Sequence, residues 1–329
     1  MSGHTTLGKS LLEAFSRCEG KDFILSAPSK VNVRLKVVGR RADGYHLLSM
    51  LNFSTSLADR VTISFERSLS PEVSLSPEGS VPLGGENLVT KAWRAFWSQF
   101  LEGQPEFGFR CHIEKRIPVG GGLGGGSADA GAMFKVLSHC FGDVLRHSLG
   151  FSEGLFAEKL NAAALCVGAD VPYALHGGAC VVTGIGEVIR PLATQAVWPG
   201  KVVLMVPPVP VATLAFYDQF RKARPVVPDI SDSALEGFVS SGKGEIPSLV
   251  ENDFEQVVGE MVPVIRQGLQ VAREVVPVGT ALTGSGSVFF SLLKEGEEGL
   301  FEELKARLQP LGVVCYLSDI VSPQKIGIS

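Results

Sequence analysis

The chain has 329 residues, a length that suggests two domains, each able to bury its own core, with a cleft between them. Hydrophobic residues at 45% and charged residues at 19% exclude the disordered class. A formal net charge of -4 lacks the basic excess that nucleic-acid or anionic-membrane binding requires, so neither is expected as a partner.

Residues 1–22 read as a flexible or helical N-terminal extension. They carry Lys9, Glu13, Arg17, Glu19, Lys21 and Asp22 and no apolar core, which argues against a secretory signal and for a cytoplasmic protein. Residues 23–25 and 31–38 read as strands, the second with Val31, Val33, Leu35 and Val37 on a buried face and Asn32, Arg34 and Lys36 on a polar one. A third strand is expected at 61–65. Residues 87–101 read as a helix carrying Leu88, Ala92, Ala95 and Phe96 at helical spacing. A strand at 107–113 leads to a glycine-dense loop at 120–126, and Ser127 is placed to cap the helix that follows. A helix at 152–165 ends at Gly168, and a strand pair follows at 178–182 and 188–192. The proline-bearing stretch 191–199 marks the domain boundary, giving domains at 23–192 and 193–329. The second is expected to mix strands at 202–206, 288–293 and 312–317 with helices at 233–239, 254–275 (with an internal Pro263) and 297–308. Its most apolar stretch, 202–212, is short and broken by Pro207, Pro208 and Pro210, so no membrane span is expected. The six cysteines are scattered without zinc-site spacing and read as buried thiols in a reducing compartment.

Two segments compete as phosphate binders. Residues 3–10 match G-x-x-x-x-G-K-[ST] letter for letter, but only Met1 and Ser2 precede them, so no strand aims the loop; its removal with residues 1–18 is expected to leave turnover unchanged. Residues 120–126 sit between a strand and a helix, where amides of a Cβ-free backbone and a helix N-terminus can meet phosphate oxygens. The same loop fits G-x-G-x-x-G through Gly120, Gly122 and Gly125, with Asp143 downstream. Against a dinucleotide fold, Glu114 to Pro118 separate the strand from the first glycine, and the neighbouring segments do not alternate strand and helix. A nucleoside triphosphate fits better.

The string from Ile113 to Ser127 resembles the ATP loop of the GHMP kinases. Ala27-Pro28-Ser29-Lys30-Val31-Asn32 resembles that family's first motif, and Ala281-Leu282-Thr283-Gly284-Ser285-Gly286 its third. Three details resemble the branch that phosphorylates a diphosphocytidyl alcohol in isoprenoid-precursor synthesis: the G-G-G-L-G-G-G-S loop, the segment Arg41-Ala42-Asp43-Gly44-Tyr45-His46, and Gly168-Ala169-Asp170-Val171-Pro172. The chain departs from the common pattern at Ala128-Asp129, where Ser-Asn is frequent.

The resemblance implies an α+β, two-domain GHMP kinase fold, ribosomal protein S5 domain 2-like at the N-terminus, with a left-handed βαβ crossover, and ferredoxin-like at the C-terminus. ATP with Mg²⁺ and a small-molecule alcohol would meet in the cleft, in a monomer or weak homodimer. The resemblance casts Asp170 as the group that accepts the hydroxyl proton or orients the hydroxyl, and Lys30 as its partner at the reacting centre. ATP would lie against Pro118, Gly120, Gly121, Gly122, Leu123, Gly124, Gly125, Gly126 and Ser127, with Asn87, Leu88 and Lys115 bordering the purine and Ser127 a candidate Mg²⁺ ligand. Asn32, Tyr45, His46, Thr213 and Gly284 would hold the substrate, Tyr45 stacking on cytosine and His46 reading its polar edge. Asn252 and Asp253 recur in the family without an assigned role. Other acceptors (mevalonate, homoserine, a sugar) and a catalytically silent binding regulator are the alternative readings.

Overall fold

The computed structural model describes residues 2–67, 70–79, 81–192, 198–209, 219–220, 232–241, 245–323 and 327–328. The chain opens with helix α1 (Ser2–Cys18), whose Leu11, Ala14, Phe15 and Cys18 form a stripe at helical spacing and are all buried. The N-terminal segment thus takes the helical form of the expected extension and packs as a wall of the first core. Residues 3–10 lie inside this helix, where their amides serve helical turns instead of a phosphate loop.

Strand β1 (Phe23–Arg40) absorbs both of the first expected strands, and β2 (His46–Glu66) pairs with it antiparallel from Phe23↔Ile63 to Arg40↔His46. The face of β1 expected to be polar is not a solvent face: Asn32 and Arg34 are buried and Lys36 is half-buried, and Lys30 beside them is buried too. Arg34 explains how a charge survives there, because Asp232 accepts two hydrogen bonds from its guanidinium, at 2.7 and 2.8 Å, and the Leu249 carbonyl accepts a third. Strand β3 (Glu72–Ser76), helix α2 (Leu88–Phe100) and strand β4 (Gly108–Glu114) form a βαβ unit, since β3 and β4 run parallel while β4 pairs antiparallel with β2. Helices α3 (Gly125–Leu149), α4 (Glu153–Val167) and α5 (Val171–His176) follow, and then strands β5 (Cys180–Gly184) and β6 (Val188–Pro191). Phe15, Trp93, Trp97, Phe107 and Phe141 meet in the aromatic core between the helices and this sheet.

The second half contributes β7 (Lys201–Val206), α6 (Ser233–Ser241), β8 (Glu251–Asn252), α7 (Glu255–Met261), α8 (Pro263–Val275), β9 (Thr280–Leu282), β10 (Phe289–Leu293), α9 (Leu300–Leu308), β11 (Val314–Val321) and β12 (Gly327–Ile328). The single helix expected over 254–275 is two, because Pro263 has no amide to donate and starts α8 instead. β7 lies between β11 and β10, all antiparallel, with β9 on the edge, which is the ferredoxin-like order. The halves are stitched together: Ile320 and Val321 of β11 pair with Thr55 and Ser54 of β2, and β12 pairs with the start of β1. A third apolar cluster mixes Val31, Phe53 and Leu123 from one half with Val202, Leu204, Val288 and Phe290 from the other. No described helix is long and apolar enough to cross a membrane.

Candidate active site

The glycine loop is held by backbone contacts to β1 and to the third glycine motif, and side chains crowd most of its other glycines. Gly122 has φ +81°, and a Cβ there would stand 2.9 Å from the Gly286 carbonyl oxygen and 3.1 Å from that of Thr283. The loop and the third glycine motif are thus packed backbone to backbone, and the Val288 amide donates to the Gly121 carbonyl at 3.2 Å. Gly124, at φ +72°, is the N-cap of α3, and a Cβ on it would sit 3.0 Å from Cγ of Lys30. This corrects the capping role expected of Ser127: a left-handed glycine starts the helix earlier and leaves Ser127 in its first turn. The loop is also clipped to β1, since the Lys30 amide donates to the Leu123 carbonyl at 2.9 Å.

Lys30 and Asp170 come together from positions 140 residues apart in the chain, Nζ to Oδ2 at 3.7 Å. Asp170 precedes α5 without a capping bond to it, so its carboxylate remains available and is 41% exposed. Its helix is pinned by Tyr173, whose hydroxyl donates to the Gly178 carbonyl at 2.6 Å and lies 3.0 Å from the Ser54 hydroxyl. Lys30, Asp170, Gly124, Ser127, Ser54 and Tyr173 line one small cavity beside the glycine loop. Lys30 also donates to Asn32 Oδ1 at 2.5 Å; Asn32 in turn donates to Asn52 Oδ1 at 2.7 Å, and its amide to the Thr283 hydroxyl at 2.8 Å. An ammonium, a carboxylate, the glycine loop and a fixed amide thus converge on one small cavity.

Of the expected purine neighbours, Leu88 touches the loop: a Cβ on Gly126 would be 3.1 Å from its Cδ1. Asn87 caps α2 by accepting from the Val89 amide at 2.9 Å and donates to the Pro82 carbonyl. Lys115 borders the cavity formed by Pro118 and the loop glycines, but its ammonium is buried between Asp59 and Asp129, at 2.5 and 2.8 Å. Asp59 also accepts from the amides of Arg116 and Ile117, fixing the turn into the loop. Burial outweighs the neighbouring ammonium at Asp129 and pushes its carboxyl up to about 7; the same carboxylates raise Lys115 against its own burial.

The two residues expected to read cytosine divide between surface and interior. Tyr45 is 61% exposed, whereas His46 begins β2, is buried, and packs edge-on against Phe220 with centroids 5.6 Å apart. Thr213 lies outside the described residues. Gly284 faces the centre: a Cβ there would be 3.4 Å from Asn32 Oδ1 and 3.5 Å from Lys30 Nζ. Asn252 acquires a function, donating to the Leu282 and Gly284 carbonyls at 2.8 Å each and so tying the third motif to β1, while Asp253 accepts from the Val37 amide. Asn52, Ser54, Asp59, Thr283 and Tyr173 escape sequence reasoning, because each is an ordinary polar residue whose partner is distant in the chain. Cys166 is exposed, against the expectation that all cysteines are buried.

A two-domain fold with this loop and this ammonium–carboxylate pair defines a small-molecule phosphotransferase of the GHMP kinase class. Residues 87–178 match the GHMP kinases N terminal domain. The chain is 34% identical to the 4-diphosphocytidyl-2-C-methyl-D-erythritol kinase of Geobacter metallireducens over 84% of this chain and 92% of that one, and 35% identical to the same-named kinase of a Polaromonas species over 81% and 82%. A crystal structure of a 4-(cytidine 5'-diphospho)-2C-methyl-D-erythritol kinase superimposes with a TM-score of 0.63 at 29% identity, covering 90% of this chain and 98% of that one. The homoserine kinase of Cytophaga hutchinsonii shares the fold, with a TM-score of 0.66 at 18% identity over 93% and 96%. The chain belongs to the 4-diphosphocytidyl-2-C-methyl-D-erythritol kinase family.

Proposed function

We propose that the protein transfers the γ-phosphoryl group of ATP to the 2-hydroxyl of 4-diphosphocytidyl-2-C-methyl-D-erythritol, a step of the non-mevalonate route to isoprenoid precursors. The observation that carries the reading is the Lys30–Asp170 pair, 3.7 Å apart in the cavity that also contains Gly124 and Ser127. Asp170 takes the proton of the attacking hydroxyl or orients it, and Lys30 offers positive charge to the phosphoryl group in flight. Asn32 holds the polyol, and the loop from Gly120 to Gly126 presents amides and a helix N-terminus to the phosphates of ATP. Tyr45 and His46 recognise the cytosine, and Thr213 and Gly284 approach the substrate from the second domain. Mg²⁺ fits the donor set, because Ser127 lines the same cavity as Gly124 of the loop and Mg²⁺ takes few protein oxygens when substrate phosphates supply the rest. Bound there, the metal would neutralise charge on the phosphates. Residues 23–192 form the ATP-binding domain in this reading and 193–329 the substrate domain, in a cytoplasmic monomer or weak homodimer.

Asp170→Asn tests the chemistry. The change keeps the shape of the side chain and removes the base, so turnover should fall roughly 10²- to 10⁴-fold while substrate binding persists. Single-turnover phosphorylation at the wild-type rate would remove Asp170 from the mechanism.

A further inference from the structure

Where α1 ends it lies beside the middle of α3, with Cys18 on the first helix and Cys140 on the second. Cys18 is buried and Cys140 half-buried, and both line a polar cavity with Arg17, Lys21, His139 and Asp143. This cavity shares no residue with the glycine loop or the Lys30–Asp170 pocket. Its charged rim is mainly cationic, and Asp143 is engaged with Arg146 at 3.1 Å. The neighbouring Cys140 thiol lowers the Cys18 thiol against the opposing effect of burial, and Lys21 and Arg17 assist; Cys140 is pushed up. A thiol lowered in this way has more thiolate character than a free one, and the thiolate is the nucleophile. A neighbouring thiol that keeps its proton is suited to act second.

We propose that Cys18 and Cys140 are a redox-active dithiol, with Cys18 attacking and Cys140 resolving, which reacts with a small anionic disulfide of the oxidised-glutathione class admitted by the cationic cavity. Cys18 attacks one sulfur of the small disulfide, whose S–S bond breaks and releases one thiol. Cys140 gives up its proton and displaces the second, so the protein loses two hydrogens and two electrons and two small thiols are formed. The product bond would tie the end of α1 to α3, the helix that begins at the ATP loop.

The test uses the full chain incubated with oxidised glutathione, followed by alkylation, intact mass and non-reducing peptide mapping. The expected product is lighter by two hydrogens, contains a Cys18–Cys140 cross-linked peptide and reverts with dithiothreitol. In Cys140→Ala, which removes a half-buried side chain, Cys18 should instead accumulate a glutathione adduct. Its alkylation midpoint should also rise toward the ordinary 9.0 as the neighbouring thiol is lost. Cys166→Ser, at an exposed position, should leave the cross-link unchanged. Modification confined to Cys166, or a Cys18 that alkylates with an ordinary midpoint and forms no cross-link, would overturn the proposal.

Discussion

At the scale of single residues, the site depends on atoms that are missing as much as on those present. Gly122 has no space for a side chain, because carbonyl oxygens of the third motif stand 2.9 and 3.1 Å from where its Cβ would be, and its φ is positive. Gly122→Val should therefore part the loop from residues 283–286 and raise the Kd for ATP by about tenfold or more, measured by equilibrium titration on a mutant whose circular dichroism is native. Unchanged affinity would mean the loop is not the phosphate cradle. Asp129 supports a prediction of a different kind. Its carboxyl is about 7 in the folded protein against 3.8 as the ordinary value, so the stability it contributes is present below the ordinary value and lost as pH rises through about 7. Asp129→Asn keeps an oxygen for Lys115 and removes the buried charge. Thermal melts should show the mutant gaining on the wild type from about pH 5 to about pH 8; a gap that does not grow with pH would refute the assignment. The sequence makes Lys30, Asp170 and the glycines legible because they sit in contiguous motifs. It does not disclose Asp59 beside Lys115, or Asn252 beneath Gly284, since those partnerships exist only after distant strands have paired.

At the scale of elements, α1 separates what patterning reveals from what it hides. The stripe Leu11, Ala14, Phe15, Cys18 is visible in the sequence, but the charged residues among them favour the reading of a loose extension. Phe15 is fully buried, with its ring 4.5 Å from that of Phe107. Phe15→Ala should cost about 3–5 kcal/mol of unfolding free energy in a denaturant titration, and removal of residues 1–18 should destabilise the first domain instead of leaving turnover untouched. A truncated chain with the wild-type melting temperature would restore the dispensable extension. The long strands are legible only in part for a related reason. β1 has register shifts between Pro28 and Lys30, Asn32 and Arg34, and Val37 and Gly39, and each shift breaks the strict alternation that sequence reading relies on. Pro263 stands in plain view in the sequence, yet the apolar periodicity on either side of it masks the break it makes between α7 and α8.

At the scale of the whole molecule, function rests on two halves that share a core and a sheet. Val31, Phe53 and Leu123 pack with Val288 and Phe290, and β11 runs from the second sheet into the first, so the third glycine motif is set against the glycine loop. Motif order in the sequence announces the family fold, whereas the stitching by β11 and β12 depends on pairing between residues about as far apart as the chain allows and leaves no local signal. The central claim is that this assembled cleft phosphorylates a cytidine-bearing alcohol. A site built to hydrogen-bond a base discriminates by about 10⁴-fold against acceptors that leave its polar groups unpaired. The direct measurement is ADP release at saturating Mg-ATP with 4-diphosphocytidyl-2-C-methyl-D-erythritol, methylerythritol 4-phosphate, mevalonate and homoserine, repeated with His46→Ala. The account predicts efficient turnover of the cytidine compound alone, with the mutant raising its KM far more than it lowers kcat; mevalonate or homoserine turning over faster than the cytidine compound would contradict it.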